Sequence, residues 1–205
     1  MICVKPIDSI GLLNQLKENI LPNCSVISFV AGLKIKKIKS LLIQNINVFR
    51  FMPNILIEVG ESATGIFTDL VDEKKKINLI KDFSFFGYLK WLSKEDEMDL
   101  FTSLYGGGPA YIFYFLECLV KISEKSGLDS EASRKLVISL LNGTSKLIKK
   151  DNQDFSSIVD KVTSKGGTTE KAINFFEEDQ KFFKIISEGI LRAKNRSMEI
   201  SKKLD

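Results

Sequence analysis

A chain of 205 residues, 44% of them apolar, can form one large domain or two small ones around a sizeable core. Histidine is absent, which excludes His-based acid–base catalysis, Ser-His-Asp triads and His-ligated zinc. The net charge of +4 comes with lysine clusters at Lys34, Lys36, Lys37 and Lys39 and at Lys74 to Lys76; without interleaved aromatics or a nucleic-acid motif, these read as solvated helix faces.

The front half alternates strand and helix patterns, as α/β units with a parallel sheet do. Met1 to Val4 begins as a short apolar strand. Ile10, Leu13, Leu16 and Ile20 recur at helical spacing within residues 7–20. Ser25 to Val30 reads as a strand. A helix follows over 35–42, with Ile35, Ile38, Leu41 and Leu42 on one face. Asn47 to Met52 is the next strand, broken at Pro53-Asn54. Residues 64–68 form a further short strand, 71–86 a Lys-rich helix, and Gly87 turns the chain into 88–92.

From Glu95 onward the pattern is all helix, which divides the chain into an α/β part over 1–95 and an all-helical part over 96–205. Asp99 to Leu104 leads into the run Gly106-Gly107-Gly108-Pro109, and Pro109 suits the first turn of the next helix. That helix, Ala110 to Lys125, is apolar nearly all round and must be covered on every side. A partner chain would do this; a central place in a monomeric bundle is the alternative. Gly127 ends it. Asp129 caps a helix over 130–149, and Asp154 caps a short one that leads to a Gly-Gly turn. Patterns over 168–176 and 180–203 finish the chain.

Cys3, Cys24 and Cys118 are scattered in apolar sequence, which predicts buried free thiols in a reducing compartment and no metal site. Apolar runs such as 112–120 are too short to span a bilayer, and the start Met1-Ile2-Cys3-Val4-Lys5-Pro6 lacks a basic leader pattern. The expectation is a cytoplasmic protein with no membrane role.

The segment Val162-Thr163-Ser164-Lys165-Gly166-Gly167-Thr168-Thr169-Glu170 carries the clearest chemical signal. Paired glycines allow positive φ and close approach of a ligand. Unpaired amides at the following helix start, with hydroxyls from Ser164, Thr168 and Thr169, suit a small carboxylate or phosphate. An ordinary Gly-Gly turn with threonine capping accounts for the same spacing.

Together with Ser103-Leu104-Tyr105-Gly106-Gly107-Gly108-Pro109-Ala110-Tyr111, this segment resembles pyrroline-5-carboxylate reductase. That family carries a Ser-Gly-Ser-Gly-Pro-Ala-Tyr segment followed by Ser-Pro-Gly-Gly-Thr-Thr. Val4-Lys5-Pro6, Ser28-Phe29-Val30-Ala31-Gly32 and Arg50-Phe51-Met52-Pro53-Asn54 fall in the family's order, so the resemblance covers nearly the whole chain. It implies a partial Rossmann-like parallel-sheet domain over 1–95, the later part of an NAD(P)-binding domain. Residues 96–205 would then be an all-helical domain for dimerisation and substrate binding. The reaction implied is reduction of 1-pyrroline-5-carboxylate to L-proline by NADPH or NADH, in a homodimer or higher homo-oligomer assembled through residues 110–205.

By the same resemblance, the substrate carboxylate rests on the amides of Gly167, Thr168 and Thr169 and on the hydroxyls of Ser164 and Thr169. Thr169 also approaches the ring nitrogen and is the expected catalytic residue. Val4, Lys5, Pro6, Ala31, Gly32, Pro53 and Asn54 are the expected cofactor contacts; for Lys5, a solvated surface position is the alternative. The sequence has departures. Lys165 stands where the family has proline, and Tyr105 and Gly107 replace serines. No Gly-x-Gly-x-x-Gly turn occurs, so the expectation is that the pyrophosphate-binding portion of the domain is missing and that the activity of this 205-residue chain is open. A non-catalytic helical dimer module and a related imine or hydroxyacid reductase are the alternatives.

Overall fold

Pro6 opens the first helix, α1 (Pro6–Leu16), because its fixed φ suits a first turn and its missing N–H has no acceptor to lose there. The computed structural model describes residues 1–21, 24–42, 46–70, 72–150 and 153–204. They divide into two compact units, Met1–Pro109 with Gly189–Asp205, and Ala110–Glu188.

In the first unit, four strands lie side by side in chain order: β1 (Ser25–Ser28), β2 (Asn47–Met52), β3 (Ser62–Thr68) and β4 (Gly87–Trp91). The helix α2 (Ile35–Leu41) lies between β1 and β2 in sequence, and α3 (Glu73–Asp82) between β3 and β4; both of these strand pairs are parallel. β2 and β3 are antiparallel. Residues 53–61 alone connect them, and a parallel crossover takes about a dozen residues or more. The chain instead folds back through a 3₁₀ turn at Ile55–Val59. The strand expected at Met1 to Val4 is a single parallel bridge from Ile2 to Ser28, with the Ile2 N–H donating to Ile27 O at 2.8 Å. The Lys-rich helix expected over 71–86 is shorter, with Asp72 capping it through the Lys75 N–H at 3.1 Å; position 71 lies outside the described residues.

Both sheet faces are covered, hence the near-continuous burial of β2. One core gathers Ile2, Leu13, Val30, Leu33, Ile38 and Val48, with Leu204 near the end of the last helix. The other is aromatic: the Phe51 ring lies 5.0 Å from Phe83 and 5.6 Å from Phe29. After β4 come α4 (Glu97–Phe101) and a π-helical turn at Thr102–Gly106. Phe101 fits over Gly65, where a Cβ would stand 2.7 Å from the ring.

The second unit contains most of α5 (Gly108–Lys125), then α6 (Ser130–Lys150), α7 (Phe155–Val162), α8 (Thr168–Glu177) and the start of α9 (Lys181–Leu204). Asp129 Oδ1 accepts the Ala132 N–H at 2.9 Å, the expected cap of α6. Asp154 occupies the N-cap position of α7, but only its backbone carbonyl is engaged, by the Ile158 N–H at 3.2 Å. Within this unit, Ser133 and Val137 are the buried residues among those described. Tyr111, Ile112, Phe113, Tyr114 and Phe115 of α5 are exposed, Tyr114 by 68%.

The cysteines do not follow expectation. Cys3 is exposed and Cys24 and Cys118 are half-buried, all three free. Cys3 follows bridged Ile2, whose side chain enters the core, and the pleat turns the next side chain outward. Among the described residues, no helix is long and apolar enough to cross a membrane.

Candidate active site

The turn before α8 is built by two glycines with different tasks. The Gly167 N–H donates to Ser164 O at 2.9 Å, closing a four-residue turn. Gly166 takes φ +75°, the left-handed conformation that the third residue of a type II turn requires. Gly167 has φ −80°, open to any residue, but a Cβ there would meet Ser164 O at 2.9 Å. Only the first glycine uses its conformational freedom; the second is needed for space.

The amides that this turn leaves open are fewer than expected. The Gly167 N–H is spent on Ser164 O, and the Gly166 N–H donates to Glu170 Oε2 at 2.8 Å. Thr168 and Thr169 begin α8, where backbone N–H groups have no intrahelical acceptor. Among the described residues, these two amides and the hydroxyls of Ser164, Thr168 and Thr169 have no hydrogen-bond partner. Ser164, Thr168 and Thr169 are exposed, and the helix dipole adds positive potential at this end. Two amides and three hydroxyls at a helix start can take one carboxylate.

In the other unit, the expected cofactor residues gather at one end of the sheet. Ile2, β1 and β2 run parallel, with Ile2 opposite Ser28 and Ser28 opposite Arg50. Val4-Lys5-Pro6, Ala31-Gly32 and Pro53-Asn54 therefore all leave the carboxyl ends of neighbouring strands, where open α/β sheets bind ligands. Lys5 is exposed, and Val4, Pro6, Ala31, Pro53 and Asn54 are half-buried. Gly32 is buried, at φ +76°, and a Cβ on it would come within 2.9 Å of the Ser201 backbone nitrogen in α9. Ser197 and Ser201 hold this end of α9 by donating to Asp99 Oδ1, at 2.6 and 3.4 Å.

Sequence reasoning missed the groups that fix these loops. Arg50 is buried, and its Nη1 donates to Glu95 Oε1 at 2.9 Å. The same oxygen accepts the Ile35 N–H at 2.8 Å, so Glu95 ties the end of β2 to the start of α2. Asn54 is committed to its own protein: Oδ1 accepts the Leu56 N–H and Nδ2 donates to Tyr105 O, each at 3.0 Å. This braces the Pro53-Asn54 loop against the π-helical turn. The Tyr105 ring packs on Phe101 at 4.8 Å. No local pattern announces Arg50–Glu95, which spans 45 positions. Glu170 did have a signal, since an acidic residue three places after an N-cap is the capping-box spacing.

Residues 95–200 match the model for pyrroline-5-carboxylate reductase dimerisation. A pyrroline-5-carboxylate reductase from Staphylococcus epidermidis is 33% identical over 202 residues, spanning 98% of this chain and 74% of that protein. Plasmodium falciparum pyrroline carboxylate reductase, solved with NADP bound, superposes with a TM-score of 0.86 at 28% identity, over 97% of this chain and 79% of that one. A pyrroline-5-carboxylate reductase from Coxiella burnetii gives the same TM-score at 30% identity, over 97% and 74%.

Proposed function

The chain belongs to the pyrroline-5-carboxylate reductase family, and on that premise we propose that it reduces 1-pyrroline-5-carboxylate to L-proline with NADPH or NADH, in the cytoplasm. The observation that carries this reading to the residues is the turn closed by Ser164 and Gly167, which leaves the Thr168 and Thr169 amides pointing out of a helix start. A five-membered ring bearing one carboxylate is small enough for such a nest, and needs no buried arginine beside it.

In this mechanism the Thr168 and Thr169 amides and the Ser164 hydroxyl hold the carboxylate, with Gly167 supplying the space for close approach. Thr169 Oγ1 approaches the ring nitrogen, which takes up one proton as the carbon–nitrogen double bond becomes single. Binding both carboxylate and nitrogen fixes the imine carbon in one orientation. A reduced nicotinamide supplies the hydride. Val4, Lys5, Pro6, Ala31, Gly32, Pro53 and Asn54 fit the nicotinamide end of that cofactor, since their loops share the carboxyl end of parallel strands and buried Gly32 brings backbone close. Asn54 serves there through its backbone, because its side-chain amide is engaged by Leu56 and Tyr105. The sequence offers no Gly-x-Gly-x-x-Gly turn for the pyrophosphate, so these residues are assigned to the nicotinamide and its ribose only.

The exposed aromatic face of α5 supports assembly through residues 110–205 into a homodimer or higher homo-oligomer. Contiguous apolar surface of this kind belongs in an interface. The test of the reading is imine-dependent consumption of NADPH by the purified chain. Thr169→Ala should lower kcat/KM about ten- to a thousandfold, as expected for one lost transition-state hydrogen bond. Unchanged kinetics would remove Thr169 from the mechanism, and NADPH consumption that ignores the imine would remove the substrate.

A further inference from the structure

Beside the amides assigned to the carboxylate sits a charge that the reaction does not call for. Glu170 is the third residue of α8, and its Oε2 accepts the Gly166 N–H at 2.8 Å. Gly166 holds the positive φ of the turn, and Lys165 precedes it at the second position, where proline is the residue that presets a type II turn. Lysine leaves its own φ unfixed in the unfolded chain, so the turn has to be held by contacts. The Gly167 N–H to Ser164 O bond is one such contact and the Glu170 carboxylate is the other. The carboxylate also occupies the positive end of the helix dipole, where any incoming anion must sit beside it.

We infer that Glu170 is a positioning residue with two opposed effects on the carboxylate site: its hydrogen bond to Gly166 holds the turn that aims the Thr168 and Thr169 amides, and its charge weakens their hold on an anion. The inference rests on the carboxylate reading of this turn. The two effects separate chemically. Glutamine keeps an acceptor oxygen for the Gly166 N–H and removes the charge. Alanine removes both. Proline at 165 presets the turn without any side-chain bond.

The experiment follows the amide NMR signals of Gly166, Thr168 and Thr169 in the full chain during titration with L-proline as the carboxylate probe. It compares the parent with Glu170→Gln, Glu170→Ala and the double variant Lys165→Pro/Glu170→Ala. Glu170→Gln should bind L-proline about threefold tighter, the scale of one like charge removed at a water-exposed distance. Glu170→Ala should speed hydrogen exchange at Gly166 and bind several-fold more weakly than Glu170→Gln. The double variant should recover that loss and bind at least as tightly as Glu170→Gln. Steady-state kinetics should show the same split, with KM for the imine falling in Glu170→Gln and kcat falling in Glu170→Ala. If Gly166 exchange is indifferent to Glu170→Ala, or the double variant is no better than Glu170→Ala, the positioning role is overturned. If Gly166 responds as expected but L-proline moves neither threonine amide in any variant, the clamp stands and the carboxylate reading of the turn falls.

Discussion

The two units of this chain treat apolar surface in opposite ways. The sheet unit encloses its own: Phe51 is 1% exposed and lies among aromatic neighbours from three other segments. The helical unit leaves Phe113 55% exposed on an eighteen-residue helix with few polar positions, among them the Glu117–Lys121 pair at 2.6 Å. Hydrophobic burial is the main favourable term in folding, so the first unit carries its apolar burial within one chain, and the proposed assembly would supply it for the second. On that proposal, stability in the second unit depends on protein concentration, as in obligate dimers.

That contrast can be broken most severely at α5. Phe113→Asp places a charge where the proposed assembly would seat an aromatic ring. Losing about 1.5–3 kcal/mol of apolar burial, plus the cost of desolvating a carboxylate, should weaken self-association by at least about a hundredfold. Sedimentation should show the monomer, and helical circular dichroism should fall. Trp91, the single tryptophan, lies in the sheet unit and should report little change in its fluorescence. A variant as associated and as helical as the parent would mean that this face of α5 is not the interface.

Phe51→Ala tests the other side. It should cost about 3–5 kcal/mol, the range for a large aromatic removed from a core, and the loss should not depend on protein concentration. Denaturant melts of Trp91 fluorescence at two concentrations would measure both. A smaller loss is expected from Glu95→Ala, which strands the buried Arg50 guanidinium. About 3 kcal/mol is the lower end for a broken buried pair, and the 21% exposure of the Glu95 side chain favours that end. Glu95→Gln keeps an acceptor for Ile35 and should lose less. Equal losses in the two variants would show that charge alone matters at that position.

The sequence was most readable where a single segment decides its own structure. The stripe of Leu13 and Leu16, the strand Asn47 to Met52 and the capped helix after Asp129 needed only local spacing and turn chemistry. The antiparallel turn of β3 was also within reach, because residues 53–61 are too few for a crossover, but strand alternation alone does not register connection length. What stayed hidden was long-range polar pairing. Arg50 reads as an odd charge in a strand until Glu95 arrives from beyond β4. The Gly-Gly turn before a helix start was legible in position. The family resemblance implied three open amides there, whereas closing the turn uses the one on Gly167.

Gly32 also constrains how this sequence can change. A methyl group at 32 would press on the backbone of α9 at Ser201, and backbone, unlike a flexible side chain, cannot step aside. Drift at position 32 is thus policed by a helix turn at the far end of the chain, through the serines anchored to Asp99. A variant that moves the α9 backbone at Ser201 would have to rebuild the loop after β1 at the same stroke.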